Sequence, residues 1–82
     1  MHNQDIYERH IANQLMHLYR SSEWSFRAIA KEYNRLTGRA MAVSTVSYHF
    51  NSGIAPLATI LMYLSIMGVS SKNFLDFHNK KK

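Results

Sequence analysis

Uncharged side chains that both donate and accept hydrogen bonds are concentrated near the middle of the chain. The segment reads VSTVSYHFNSG from residue 43 to residue 53. On a helix, Val46 and either His49 or Phe50 would face inward. The polar side chains that would then point outward are Ser44, Thr45, Ser47, Tyr48 and Asn51. Hydroxyl and carboxamide groups can bond the edges of DNA bases, and a solvated polar face is the alternative interpretation.

A group of cations precedes this segment. Four of them lie between residues 27 and 39, where Glu32 is the only acid: Arg27, Lys31, Arg35 and Arg39. Together with the hydroxyl of Ser25, they are candidates for phosphate binding, which would position a helix without reading sequence. The whole chain carries ten Lys and Arg against five acids, a formal charge of +5, which favours an anionic partner. A solvated basic face is the alternative here too.

Helix signals dominate the 82 residues, and no internal repeat or linker divides them. A first helix is predicted from Asp5 to about Arg20, with Tyr7 and Leu15 on its apolar stripe. A second helix is predicted from an N-cap at Ser25 to a left-handed Gly38, with these residues inward: Phe26, Ile29, Ala30, Tyr33 and Leu36. A third is predicted from an N-cap at Ser44 to about Asn51, with Gly53 beyond its end.

After the third helix, the chain is mostly apolar as far as Val69. Pro56 fits the first turn of a fourth helix that ends at Met67, before Gly68, and whose core stripe is Leu57, Ile60, Leu61, Leu64 and Met67. Ser71 can cap a short fifth helix. Because the fourth helix is apolar nearly all round, we expect a homodimer, with these interface residues: Met62, Tyr63, Ile66, Phe74 and Phe77.

Several classes of function are disfavoured. The chain has no cysteine, no His-x-x-x-His pair and no Gly-rich phosphate loop, so we expect no metal, no cofactor, no small-molecule ligand and no enzyme activity. The charge-free stretch from Gly53 to Ser71 contains Pro56 and Gly68, and its continuously apolar part is short for a membrane span, which needs roughly 20 residues. The polar N-terminus lacks the pattern of a secretory signal, so a cytoplasmic protein is expected.

In order and spacing, these features resemble the helix-turn-helix domains of the lambda repressor and Cro type. The corresponding residues are Ser25, the pair Ile29-Ala30, the segment 44–47, Gly53, Pro56 and the segment 67–69. The connection between residues 30 and 46 is several residues longer than the usual pattern. The usual acidic residue late in the recognition helix is missing, with Phe50 and Asn51 near its place.

Residues and resemblance together predict one all-α domain over residues 1–82, a compact bundle of about five short helices with a helix-turn-helix and a short basic C-terminal tail. The resemblance to phage and plasmid regulators implies a dimeric repressor that binds a palindromic operator in double-stranded DNA through the helix near 44–51. The alternative is a protein-interaction module that uses the apolar helix 56–67.

Overall fold

The computed structural model of the protein describes residues 3–69, with side chains from Ile6 onwards, as four helices without a strand. They are α1 (Asn3–Ser21), α2 (Phe26–Thr37), α3 (Val43–Ser52) and α4 (Leu57–Met67). The predicted all-α class is confirmed. The predicted fifth helix after Ser71 and the basic tail lie outside the described residues.

The helix ends follow the capping residues in most cases. The Ser25 hydroxyl accepts a hydrogen bond from the Ala28 amide at 3.1 Å and caps α2. Gly38, Gly53 and Gly68 follow the last residues of α2, α3 and α4, with φ of 74°, 74° and 80°. Residues other than Gly adopt this left-handed backbone conformation only at a cost in free energy. These glycines therefore end the helices, as predicted.

The predicted start of α3 is wrong by two residues. Ser44 does not cap the helix; Ala42 is the N-cap, and no side chain accepts a capping hydrogen bond there. The backbone carbonyl of Ala42 instead accepts from the amides of Thr45 and Val46 at 3.0 and 3.2 Å. Pro56 likewise lies just before α4 rather than in its first turn, and its carbonyl accepts from Thr59 and Ile60.

One continuous core joins all four helices. Its buried members are Leu15, Ile29, Ala30, Tyr33, Val46, Phe50, Ile60, Tyr63 and Leu64. Aromatic contacts run through it: Phe50 packs against Phe26 and Tyr63 with ring centroids 5.3 and 5.0 Å apart, and Tyr19 stacks on Phe26 at 4.2 Å. Such contacts add to the hydrophobic stabilisation of a small core that lacks disulfides.

Three side chains predicted to face the core are exposed instead. Tyr7 is 68% exposed, Leu36 50% and Leu57 64%. Each lies near an end of its helix, in the first turns of α1, the last turn of α2 and the first residue of α4. A helical stripe continues to the helix end, whereas burial stops where the neighbouring helices stop, so periodicity alone overestimates the core.

Gly53, directly after the last residue of α3, lies against the backbone of α1. A Cβ atom added there would overlap the backbone carbonyl oxygen of Glu8 and lie 2.9 Å from the backbone nitrogen of Ala12. The end of α3 is therefore held against the backbone of α1, and this contact fixes where α3 points.

Within the described part of the chain, no single helix has the length and apolar character needed to cross a membrane. By length and composition alone, α3 and α4 taken together could cross a membrane, but the pair is bent by 102° at the break between the two helices.

Candidate nucleic-acid interface

Helix α3 divides sharply into a buried face and an outer face. Val46, His49 and Phe50 are buried. Ser44, Tyr48 and Asn51 are exposed, and Thr45 and Ser47 are half-buried. With about 100° between successive residues, Ser44, Tyr48 and Asn51 lie opposite the buried side, while Ser47 and Thr45 border it on its two sides. We call these five residues the α3 outer face; each of the predicted base-reading residues can be reached from solvent.

The buried face of α3 is anchored to α4 by a polar contact. Nδ1 of His49 lies 2.6 Å from the hydroxyl of Tyr63, which in turn lies 3.2 Å from Sδ of Met41. The hydroxyl carries a single proton, so it donates to only one of these two partners, and the tautomer of His49 decides whether Nδ1 accepts or donates. Both inward candidates at this position, His49 and Phe50, are buried.

Burial shifts the protonation of both partners. Desolvation lowers the pKa of His49, which keeps the imidazole neutral near neutral pH. Desolvation, with a smaller contribution from Tyr33, raises the pKa of the Tyr63 hydroxyl well above its ordinary value. The contact between α3 and α4 is therefore a hydrogen bond between neutral groups.

Hydrogen bonds within α3 order its polar side chains. Nδ2 of Asn51 donates to the backbone carbonyl of Ser47 at 2.8 Å and to its hydroxyl oxygen at 3.2 Å. One residue further on, the hydroxyl of Ser52 donates to the carbonyl of Tyr48 at 2.7 Å. Asn51 and Ser47 thus form one hydrogen-bonded unit on the outer face.

The connection between α2 and α3 is ordered by a residue that the sequence did not indicate. The Asn34 carboxamide accepts from the Met41 amide at 2.7 Å and donates to the Met41 carbonyl at 3.0 Å. At the start of the connection, the Thr37 hydroxyl donates to the carbonyl of Tyr33 and accepts from the amide of Arg39. Asn34 and Met41 are seven residues apart and lie on either side of the end of α2, so helical spacing does not predict their contact.

The predicted phosphate-binding cations are all exposed. Arg27, Lys31 and Arg35 follow one another at intervals of four, which places them along one side of α2; we call them the α2 basic stripe. Arg39 lies beyond α2 in the connection. Ser25 uses its oxygen as a cap, which leaves its hydroxyl proton for another acceptor.

Arg35 differs from the other cations of the stripe because it has an ionic partner. Its Nε and a terminal nitrogen donate to the two carboxylate oxygens of Glu32 at 3.0 and 2.6 Å. This side-chain hydrogen bonding lowers the pKa of Glu32. Within residues 6–69, Arg27, Lys31 and Arg39 have no ion-pair partner. Their charges are consequently the more available ones.

A shallow open cleft of about 270 Å³ lies between α1 and the end of α3. Its lining is mostly polar: Glu8, Arg9, Ala12, Asn13, Asn51 and Ser52. Arg9 and Asn13 are exposed beside Asn51, and the apolar stripe of α1 gives no indication of either residue. The close approach at Gly53 brings this side of α1 to the outer face of α3.

The predicted dimer interface is changed by the structure. Tyr63 is fully buried within the subunit, so its assignment to the interface is wrong. Its ring fills the space between α2, α3 and α4, where Phe50 and Tyr33 contact it. Met62 and Ile66 are half-buried against the core, and Phe74 and Phe77 lie outside the described residues.

The described residues bring hydrogen-bonding groups and cations together without a cluster of potential metal ligands. No three His, Asp or Glu side chains from this part of the chain lie close enough to hold a metal ion. What the residues share is the ability to bond a polar, anionic surface. Comparison of the chain with protein-family models, curated protein sequences and solved structures yields no match.

Proposed function

We propose that this protein is a helix-turn-helix regulator of transcription that binds double-stranded DNA through α3, as a homodimer that represses by occupying a promoter. The observation that carries the proposal is the outer face of α3, five uncharged hydrogen-bonding side chains open to solvent on a helix that follows the α2 basic stripe. The resemblance of the sequence to the lambda repressor and Cro type supports it.

In this proposal α2, the connection 38–42 and α3 form the helix-turn-helix. Two features make α3 suitable for the major groove: it is short, and its inner face is firmly anchored by Phe50 and the His49–Tyr63 contact. A rigid support matters because hydrogen bonds to base edges discriminate only when their geometry is fixed. The longer connection is compatible with this role, since Asn34 holds it in one conformation.

The charge distribution favours the approach of DNA to this side of the molecule. Glu32 is the last acid before Asp76, so α3 and α4 carry no carboxylate that would repel phosphates. Arg27, Lys31 and Arg39 are exposed cations without a described ion pair, and Arg9 lies beside the outer end of α3. Such residues would neutralise phosphates and release counterions, which gives affinity without sequence preference.

The proposed homodimer keeps α4 as its interface, without Tyr63. Met62 and Ile66 on α4 keep part of their apolar surface open to solvent, and Leu57 at the start of the helix is 64% exposed. In helix-turn-helix dimers a two-fold axis relates the two recognition helices, which read half-sites about one DNA turn apart, and a contact between two copies of α4 would supply such an axis. The same exposed residues favour the second candidate, a module that binds another protein through helix 56–67.

One experiment separates these two functions. The purified protein is used to select sequences from a pool of random DNA duplexes, and binding to the selected DNA is then titrated at several salt concentrations by fluorescence anisotropy. The proposal expects an enriched palindromic sequence and a steep loss of affinity with salt. Absence of binding at low salt would reject DNA recognition and leave the protein-interaction module.

A further inference from the structure

Two residues of the α3 outer face have hydrogen-bonding directions that the structure determines. Asn51 directs its nitrogen to Ser47, with the backbone carbonyl at 2.8 Å and the hydroxyl oxygen at 3.2 Å. A carbonyl oxygen can only accept, so the carboxamide must present its nitrogen to Ser47. Its oxygen, Oδ1, therefore points away from that contact.

The groups left over on this pair are one acceptor and one donor. Oδ1 of Asn51 has no hydrogen-bond partner within the described part of the chain. The Ser47 hydroxyl oxygen accepts from Asn51, and its proton has no acceptor among residues 6–69. Asn51 is exposed and Ser47 half-buried, so an outside partner can reach both groups.

In the major groove, adenine is the one base that matches the donor of Ser47 and the acceptor of Asn51 together. Adenine offers N7 as an acceptor and the N6 amino group as a donor. Guanine offers two acceptors, N7 and O6, and O6 would repel Oδ1. Cytosine offers a donor alone, and thymine an acceptor beside a methyl group.

We propose that Ser47 and Asn51 act as one unit that reads adenine, in which Ser47 donates to N7 and Asn51 accepts from the N6 amino group. The inference rests on the proposed DNA-binding function and deepens it by naming a base and the atoms that recognise it. It differs from recognition by a lone Asn, which would use both ends of its own carboxamide. That mode would engage a proton of Nδ2 with N7 and would leave the Ser47 hydroxyl out of the contact.

The first test uses the unmodified protein and altered DNA. In the selected operator, each adenine of a half-site is replaced in turn by 7-deazaadenine, which lacks N7, or by purine, which lacks the amino group. We expect one position at which each replacement weakens binding about tenfold, as for the loss of part of a base-specific contact. An operator without an adenine sensitive to both replacements would overturn the inference while DNA binding itself stands.

The second test assigns the two contacts to their residues. Ser47→Ala should abolish the penalty for 7-deazaadenine and keep the penalty for purine, whereas Asn51→Ala should abolish the penalty for purine. Ser65→Ala, which removes an exposed serine hydroxyl from α4, is the matched control and should keep both. Circular dichroism establishes that each variant is folded. If both penalties are unchanged in Ser47→Ala and Asn51→Ala, the inference is overturned and the proposed function stands. If the unmodified protein binds no DNA, the inference and the proposed function are both overturned.

Discussion

Asn34 holds Met41 by two hydrogen bonds across seven residues of chain, one to the Met41 amide and one to its carbonyl. The connection lies outside regular secondary structure, so its backbone groups have no partners in a helix or sheet. The Asn34 side chain supplies those partners for Met41. Met41 also places its sulfur beside the hydroxyl of Tyr63. The same short segment thus links α2 to α4 directly before α3 begins.

Replacing Asn34 should loosen this connection. In Asn34→Ala both backbone groups of Met41 lose their partner, and we expect the free energy of unfolding to fall by about 1–3 kcal/mol. Urea denaturation monitored by circular dichroism measures the change. Asn13→Ala, at an exposed position of α1, is the control and should change stability by less than about 0.5 kcal/mol. Equal stability of the two variants would contradict the role of Asn34.

Gly53 and Gly38 provide a matched pair for the contact between α1 and α3. Both have φ of 74°, but a Cβ at Gly38 meets nothing within 4 Å, whereas one at Gly53 overlaps the backbone of Glu8. Gly38→Ala should cost about 1–2 kcal/mol for the left-handed conformation alone. Gly53→Ala should cost several kcal/mol more, because backbone has to move. Thermal unfolding of the two variants measures the difference, and similar melting temperatures would show that α1 yields easily.

The buried imidazole of His49 should make stability depend on pH. Its pKa is lowered in the folded protein, so the unfolded chain binds the proton more readily. The contribution of His49 is complete above its unfolded-state pKa, near 6.5, and is lost as the pH falls from there through the lower folded-state pKa. His49→Gln should therefore lose less stability than the unmodified protein between pH 7 and pH 5. An unchanged dependence in His49→Gln, measured by urea denaturation at several pH values, would assign the pH effect to other groups.

At alkaline pH the opposite sign applies to Tyr63. Its pKa is raised by burial, so its contribution is complete below the ordinary value of 10.0 and declines as the pH rises beyond it. Tyr63→Phe should flatten the loss of stability above pH 10, measured by urea titration at several pH values. An unchanged slope would indicate that other groups dominate the alkaline transition.

Glu32 and Arg35 should have opposite effects on DNA binding. Both carboxylate oxygens of Glu32 accept hydrogen bonds from Arg35. Glu32→Gln therefore frees the guanidinium from this ion pair and removes a negative charge. We expect Glu32→Gln to raise affinity for any DNA duplex, and Lys31→Ala to lower it and reduce the salt slope by about 1. Arg35→Ala should have a smaller effect than Lys31→Ala because Arg35 is already paired. Anisotropy titrations in a salt series measure all three, and identical slopes would place the stripe away from DNA.

The proposed dimer can be tested on α4. Ile66→Glu introduces a charge at a half-buried position of α4, in the proposed interface with Met62. We expect a folded protein that is monomeric by sedimentation equilibrium. Ile6→Glu, at a residue of α1 that is 63% exposed, is the control and should leave association unchanged. A folded Ile66→Glu protein with an unchanged dimer would reject this surface.

Local chemistry in the sequence was sufficient to predict where most helices end. A serine that accepts from a free amide and glycines that alone adopt positive φ act within a few residues, so Ser25, Gly38 and Gly53 could be assigned without knowledge of the fold. Periodicity likewise placed Ile29, Tyr33 and Val46 in the core. It left His49 and Phe50 as alternatives, and both are buried.

Tertiary structure decided which of the patterned residues are covered and which polar groups meet. Tyr63 and Leu57 lie on the same apolar helix, yet one is fully buried and the other is exposed, because coverage depends on where α2 and α3 pass. Residues 14 apart in the chain form the His49–Tyr63 contact, and Gly53 is buried only because α1 crosses it. Sequence patterns report the preferences of one helix, whereas such contacts are set by the placement of several helices at once.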